Sequence, residues 1–318
     1  MKEMTVRRRP VTKMATKKHR LIGIVGPTAV GKTAVAIQIA RAFGTVILSA
    51  DSRQFYREMS IGTAKPTPLE LKEAPHYFID SHHITANLSA GDYEREALNL
   101  LDSLFLSHPE IVLVGGSGLF VQALQHGLDD LPQVAASIRE KWNRCFAEKG
   151  ITYLQEALAE ADPVYYEEVD RNNPQRLIRA LEVYEATGQA FSSFRKKKTS
   201  SRKFETLLIG LDMDRETLYE RINHRVDQMM ADGLLAEVQR LWTHRELPAL
   251  KTVGYAELFE HLDGQITLEE AVEKIKQNTR RYAKRQLTWF RKDPEIRWFH
   301  PHDIEQIITY IRSDSPSA

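Results

Sequence analysis

The sequence predicts an α/β protein: a doubly wound parallel sheet of the phosphate-loop type, with an all-helical insertion domain and further helices at the C-terminus. Three observations predict it. Short apolar, strand-like runs alternate with amphipathic helical ones on both sides of the chain's middle. A glycine-rich loop joins the first such strand to the first helix, and no convincing strand interrupts residues 121–203. The expected organisation is therefore a discontinuous core, residues 21–120 and 204–318, an inserted helical domain at 121–203, and a leader at 1–20.

Taken in order, the leader carries eight Lys or Arg against one acid and has no apolar segment, so it is not a secretory signal and reads as a disordered basic arm. The first strand is Leu21–Val25, followed by "GPTAVGKT" and a helix over Ala34–Phe43. Strands follow at Thr45–Ser49 and His76–Ile79, then a helix over Asp92–Leu106, with Ser89 and Asp92 spaced as a capping box. The strand Ile111–Val114 ends in "GGSG". The insertion reads as the helices Val134–Glu148, Ile151–Ala161 and Pro174–Ala186, the last stopped by Thr187-Gly188. Strand Thr206–Leu211 resumes the sheet. Beyond it lie the helices Arg215–Ala231 behind an Asp214 cap, Leu234–Trp242, and Leu268–Arg291 behind a Thr267/Glu270 capping box.

Composition narrows the function classes. No apolar run approaches the roughly 18–20 residues of a membrane helix. Cys145 stands alone, which excludes a disulfide framework and Cys-ligated zinc and suits a cytoplasmic location. Net charge is +1, and without the leader 36 basic residues face 42 acidic ones, so the body is mildly acidic. Two basic segments stand out against it, Phe194–Lys203 and Lys274–Lys292. In the second, Ile275, Tyr282 and Trp289 recur at sevenfold spacing as an apolar seam, while the charges of one sign point to a phosphate backbone as partner. No obligate protein partner is evident.

The chemistry starts from Gly26, Pro27, Thr28, Ala29, Val30, Gly31, Lys32 and Thr33, a complete phosphate loop in its strand–loop–helix context. Its backbone N–H groups wrap an anion at a helix N-terminus, Lys32 adds a point charge, and the Thr33 hydroxyl reaches a magnesium ion. A nucleotide hydrolase also needs an acid at the end of a second strand, but Ile111–Val114 ends in glycines and Ser117. Asp51 lies instead just past Thr45–Ser49, at the carboxyl edge where open α/β sheets bind ligands. It comes with Ser52, Arg53 and Gln54, and a lone acid there can hold metal or take a proton. In the insertion, Gln175, Arg176 and Arg179 stand near a helix start and suit base edges and phosphates.

The segments "GPTAVGKT", "SADSRQFYREMSIGTAKP", "HYFID", "VGGSGLF", "NPQRLIRALEV", "RINHRVDQMMADGLLAEV", "TVGYAEL" and "AKRQLTWFRK" fall in the same order as in the tRNA dimethylallyltransferases, also called tRNA isopentenyltransferases. The resemblance spans residues 21 to about 300. It departs at "NNPQR", where an Asp is common at the second position, and at Lys251, where an Arg often stands. It implies transfer of a dimethylallyl group from dimethylallyl diphosphate to N6 of the adenosine 3′ of a tRNA anticodon. The loop would then hold the diphosphate, with Mg2+ on Thr33, and Arg225 would stabilise the leaving group. Asp51 would act as general base. The tRNA anticodon arm would be held by Asp51, Ser52, Arg53, Gln54, Ser117, Arg139, Gln175, Arg176, Arg179, Lys251, Arg281, Lys284 and Arg285.

Overall fold

In the computed structural model, which describes residues 19–86, 88–195 and 201–314, six parallel strands form one sheet in the order β3-β2-β4-β1-β5-β6. The strands are β1 (His19–Val25), β2 (Ile47–Ser49), β3 (His76–Tyr77), β4 (Glu110–Gly115), β5 (Phe204–Leu211) and β6 (Arg297–Phe299). Most of the expected leader, and Lys196–Ser200 of the first basic segment, lie outside the described residues.

The helices before the insertion are α1 (Lys32–Phe43), α2 (Pro68–Glu73), α3 (Ala90–Leu104) and α4 (Gly118–His126). Then come α5 (Ala136–Ala161), α6 (Pro163–Glu168), α7 (Pro174–Thr187) and α8 (Phe191–Phe194). After β5 the chain forms α9 (Arg215–Ala231), α10 (Leu234–Arg240), α11 (Tyr255–Leu262), α12 (Leu268–Phe290) and α13 (Ile304–Ser313).

β1 pairs with β4 on one side and β5 on the other, and all three are almost wholly buried, as strands covered on both faces must be. The chain leaves β1 through α1 for β2 and returns across the sheet to β4, so the strand order reverses beside β1. Ligands of such sheets bind outside the strand carboxyl ends at this reversal. The loops after β1, β2 and β4 meet there.

Two compact units divide the chain. The first holds the described residues up to Gln125 and those from Arg202 onward, the second His126–Ser201. Among its described residues, the first has an apolar core around Ile24, Ile39, Val112 and Ile209 and another around Met59, Val226, Leu250 and Leu258, and its rings Phe55, Phe78, Tyr93 and Phe120 pack together. The second is helical and has its own core of Leu154, Leu158, Leu177, Ile178 and Leu181. Gly150 breaks α5 at φ 77°, which separates the two helical periods visible in the sequence.

Local signals are met where they were strongest. The Ser89/Asp92 and Thr267/Glu270 capping boxes form, Asp214 caps α9, and Gly188 ends α7 in the left-handed region. The sevenfold seam of α12 is corrected. Ala271, Ile275, Ala283, Gln286 and Phe290 are buried, whereas Trp289 is 40% exposed. A straight helix repeats every 3.6 residues, so a strict spacing of seven drifts off the buried face.

Candidate active site

β1 ends at Val25 and the backbone turns at once. Gly26 has φ 143°, and a Cβ there would lie 2.5 Å from the Leu211 carbonyl oxygen, so the turn admits only glycine. Gly31, at φ 107°, caps α1 without a side-chain hydrogen bond, and the first turn of α1 holds no acid. The first N–H groups of α1 therefore face the loop unsatisfied, which makes an anion seat. Lys32 folds over the loop, its Nζ donating to the carbonyls of Gly26 at 3.1 Å and Pro27 at 2.7 Å. Burial lowers the Lys32 ammonium to about 8; Asp51 works against that shift and Arg225 with it. Asp51 and Arg225 line one cavity together with Thr28 of the loop.

Gln286 of α12 is buried and ties the loop to the β4 turn. Its Oε1 accepts from Thr28 N–H at 2.8 Å, and its Nε2 donates to the Gly116 carbonyl at 2.9 Å. Neither bond is foreshadowed by local sequence, because the partners lie 258 and 170 residues away.

Asp51 stands just beyond β2 and accepts from Arg53 N–H at 2.9 Å. Among the described residues no ion pair engages it. It lines a cavity of about 230 Å3 with Thr28, Ser52, Arg53, Arg225, Thr252 and Tyr282. Ser117 closes one side, accepting from Ser52 N–H at 3.1 Å. The Tyr282 hydroxyl is pushed up to about 12 by burial and by the Asp51 charge, while a hydrogen bond to Ser117 works the other way. Gln54 turns inward, its amide donating to the carbonyls of Thr63 and Ala64 at 3.2 Å.

A second cavity, about 680 Å3, shares Ala64, Arg225 and Met229 with the first. Its wall mixes Ile61, Pro66, Pro68 and Leu71 with Lys65, Arg221, His224 and Arg225. Lys65 is held by Asp80 and the Tyr56 carbonyl. Arg225 makes no ion pair with Asp227, which binds Lys276 at 2.8 Å instead. Burial and the neighbouring Arg221 depress the Arg225 guanidinium from its ordinary value. Arg221, four residues before it on α9, also reaches the phosphate loop near Gly31. Sequence reasoning missed Arg221, although its i, i+4 spacing to Arg225 was the available signal.

The turn over residues 60–62 walls both cavities, and Glu237 of α10 holds it in place. The carboxylate accepts from the N–H groups of Ser60, Ile61 and Gly62 at 2.9–3.1 Å and from the Tyr255 hydroxyl at 2.6 Å. Burial and Glu237 raise that phenol well above its ordinary value.

The residues expected to meet RNA divide into engaged and free. Lys251 pairs with Glu246 on the surface. In the helical unit, Arg139 and Arg179 both pair with the buried Glu182, and Arg139 also donates to Gln175 at 3.3 Å. Arg176 is exposed and makes no ion pair among the described residues. On α12, Lys274, Lys276 and Arg280 are taken by Glu260, Asp227 and Asn223. Arg281, Lys284 and Arg285 are exposed and find no acid among the described residues.

For a divalent cation, Thr33 offers a hydroxyl with no hydrogen bond to the described residues, and no group of three or more His, Cys, Asp or Glu among them forms a cage. That donor set fits Mg2+, which accepts one or two protein oxygens and completes its shell with phosphate and water. No described helix is long and apolar enough to cross a membrane.

The model of the IPP transferase family matches residues 54–293. A tRNA dimethylallyltransferase of Christiangramia forsetii is 52% identical over 92% of this chain and 97% of its own length. Another, of Bacteroides thetaiotaomicron, is 49% identical over 92% and 95%. The crystal structure of the tRNA isopentenylpyrophosphate transferase of Bacillus halodurans matches with TM-score 0.70 at 36% identity, covering 93% of this chain and 96% of that one. A eukaryotic dimethylallyltransferase caught acting on tRNA matches with TM-score 0.74 at 25% identity, over 93% and 77%. With most of its length matched on both sequence and fold, the chain belongs to the IPP transferase family, that of the tRNA dimethylallyltransferases.

Proposed function

We propose that the chain transfers the dimethylallyl group of dimethylallyl diphosphate to N6 of the adenosine 3′ of the anticodon in tRNA, releasing diphosphate. The observation that carries this reading is the pair of cavities joined at Arg225. One has an apolar wall beside Arg221 and Arg225, which make no ion pair among the described residues, and this suits a short prenyl chain with an anionic head. The other is walled by Asp51, Ser52, Arg53 and Tyr282 and suits a polar base.

In this reading the N6 lone pair attacks C1 of the dimethylallyl group as the C1–O bond breaks, and diphosphate leaves with the bonding electrons. The loop N–H groups, Lys32, Arg221 and Arg225 stabilise that developing charge, the largest electrostatic demand of the reaction. Mg2+ at Thr33 would add positive charge to the leaving oxygens. N6 must shed a proton, and Asp51 accepts it as general base. Tyr282 lines the same cavity as Asp51, and Ser117 bonds the neighbouring Ser52. The target adenosine leaves its stack to reach this cavity. Arg281, Lys284 and Arg285 grip the RNA backbone, as does the 126–201 unit through Arg176.

Single-turnover transfer to an anticodon-arm RNA, followed by mass, tests the reading. Asp51→Asn keeps an acceptor oxygen and loses the base, so the rate should fall on the order of 10²–10⁴-fold with donor affinity little changed. If excess magnesium restores the Asp51→Asn rate, Asp51 is a metal ligand and the general-base role is wrong. If the wild-type chain adds no prenyl unit, the whole reading fails.

A further inference from the structure

Trp289 is 40% exposed on α12, an unusual place for so large an apolar ring on a helix whose other apolar residues turn inward. Its environment is specific. The pyrrole edge of the indole lies on Gly118, so close that a Cβ there would stand 2.2 Å from it. Gly118 follows Ser117, whose hydroxyl bonds Ser52 at the wall of the Asp51 cavity. The ring therefore packs on the residue that follows Ser117, on the same helix as Tyr282 of the cavity lining. Along the helix, Arg281, Arg285 and Trp289 fall at i, i+4 and i+8, on one exposed stripe. The first two lack an acidic partner among the described residues. A cationic stripe ending in a bare aromatic ring is the pairing that single-stranded nucleic acid selects, charge for backbone and ring for base.

We infer that Trp289 is a stacking platform for the nucleobase that flanks the target adenosine. The inference rests on the tRNA reading above. Extruding one base leaves a neighbour with an uncovered face, and an indole on the helix that lines the receiving cavity covers it in place of the lost partner. Gly118 serves this arrangement by letting the indole edge lie against backbone while the residue stays 40% exposed.

The test is binding of the full chain to an anticodon-arm RNA, by fluorescence anisotropy, with abasic sites on either side of the target adenosine. In the wild type one flanking abasic site should weaken binding by about ten- to a hundredfold, the range of one base–aromatic stack. Trp289→Ala should cost a similar factor on intact RNA, and Trp289→Ala with the abasic RNA should be no worse than either alone. Trp289→Phe should recover most of the affinity. Costs that multiply independently would overturn the inference, as would Trp289→Ala binding intact RNA like the wild type. Loss of dimethylallyl diphosphate binding in Trp289→Ala would assign the ring to packing and also overturn it. A wild-type chain that fails to bind the intact arm sinks the tRNA reading itself, whereas binding that ignores both flanking bases sinks the platform alone.

Discussion

If Lys32 holds the donor as proposed, its ammonium should give donor binding a pH dependence. In the ligand-free fold it is enclosed beside the Gly26 and Pro27 carbonyls, and burial lowers it to about 8. A diphosphate needs the charged form. At pH 7 roughly nine-tenths of the chains carry that proton and at pH 9 roughly one-tenth, so the donor Kd should rise about tenfold, about 1.4 kcal/mol, across the window. Titration calorimetry with dimethylallyl diphosphate at fixed magnesium measures it. Repeating the pH 9 experiment in buffers of different ionisation enthalpy should show nearly one proton taken up per donor bound. The sign on stability is the reverse. The folded state holds this proton less tightly than the unfolded chain, whose lysine keeps the ordinary value of 10.5. From this group alone the ligand-free fold should gain stability between pH 8 and 10.5, by roughly 3 kcal/mol at most. Lys32→Arg keeps its charge throughout and should flatten the affinity profile. A wild-type Kd that stays flat from pH 7 to 9, or an arginine variant with the same slope, would refute the assignment.

Other perturbations separate the parts of the site. Thr33→Ala should abolish transfer and leave binding of the RNA arm intact, since nothing else described depends on its hydroxyl; weakened RNA binding would contradict the metal-holding role. Gln286→Leu strands Thr28 N–H and the Gly116 carbonyl, each worth about 1–3 kcal/mol when buried without a partner, so thermal unfolding should begin several degrees lower. An unchanged melting temperature would show that the loop does not lean on this amide. Replacing Arg281 and Arg285 by Ala should reduce the salt dependence of RNA binding by about one charge each. Lys276→Ala should leave it unchanged, because Asp227 already holds that charge; equal effects from both would mean that ion pairing within the protein is irrelevant to RNA contact.

What could be read in the sequence was local. The phosphate loop, the caps of α3, α9 and α12, and the end of α7 are each written within a few residues, and each forms as read. One short edge strand escaped: β6 has three residues, too few for periodicity to register, whereas β3 forms within the expected His76–Ile79 run but only over His76–Tyr77. The charges of α12 looked alike in sequence, yet Glu260, Asp227 and Asn223 engage three residues of the helix's basic set and leave Arg281, Lys284 and Arg285 outside. Glu182 does the same to Arg139 and Arg179. The Arg179 pair follows the i, i+3 helix spacing, but the others join residues brought close only by folding, and no spacing rule announces them. Gln286 and Glu237 belong to the same class, being polar side chains that hold backbone turns from far along the chain.

The balance of charge at the loop bears on how the proposed donor would be held. Lys32, Arg221 and Arg225 converge with too few acids to satisfy them, and repulsion from Arg221 and Arg225 respectively helps lower Arg225 and Lys32 from their ordinary values. The Gly26 and Pro27 carbonyls accept from Lys32 and offset part of that repulsion. A diphosphate offsets far more, because it brings several negative charges into a place where solvent screens them weakly. The negative charge on the leaving group grows as the C1–O bond breaks, so the same cations that bind the donor bind the departing diphosphate more strongly. In the proposed reaction their mutual repulsion would be relieved as the leaving group gains charge, and Asp51, which no ion pair engages among the described residues, would receive the proton on the other side of the breaking bond.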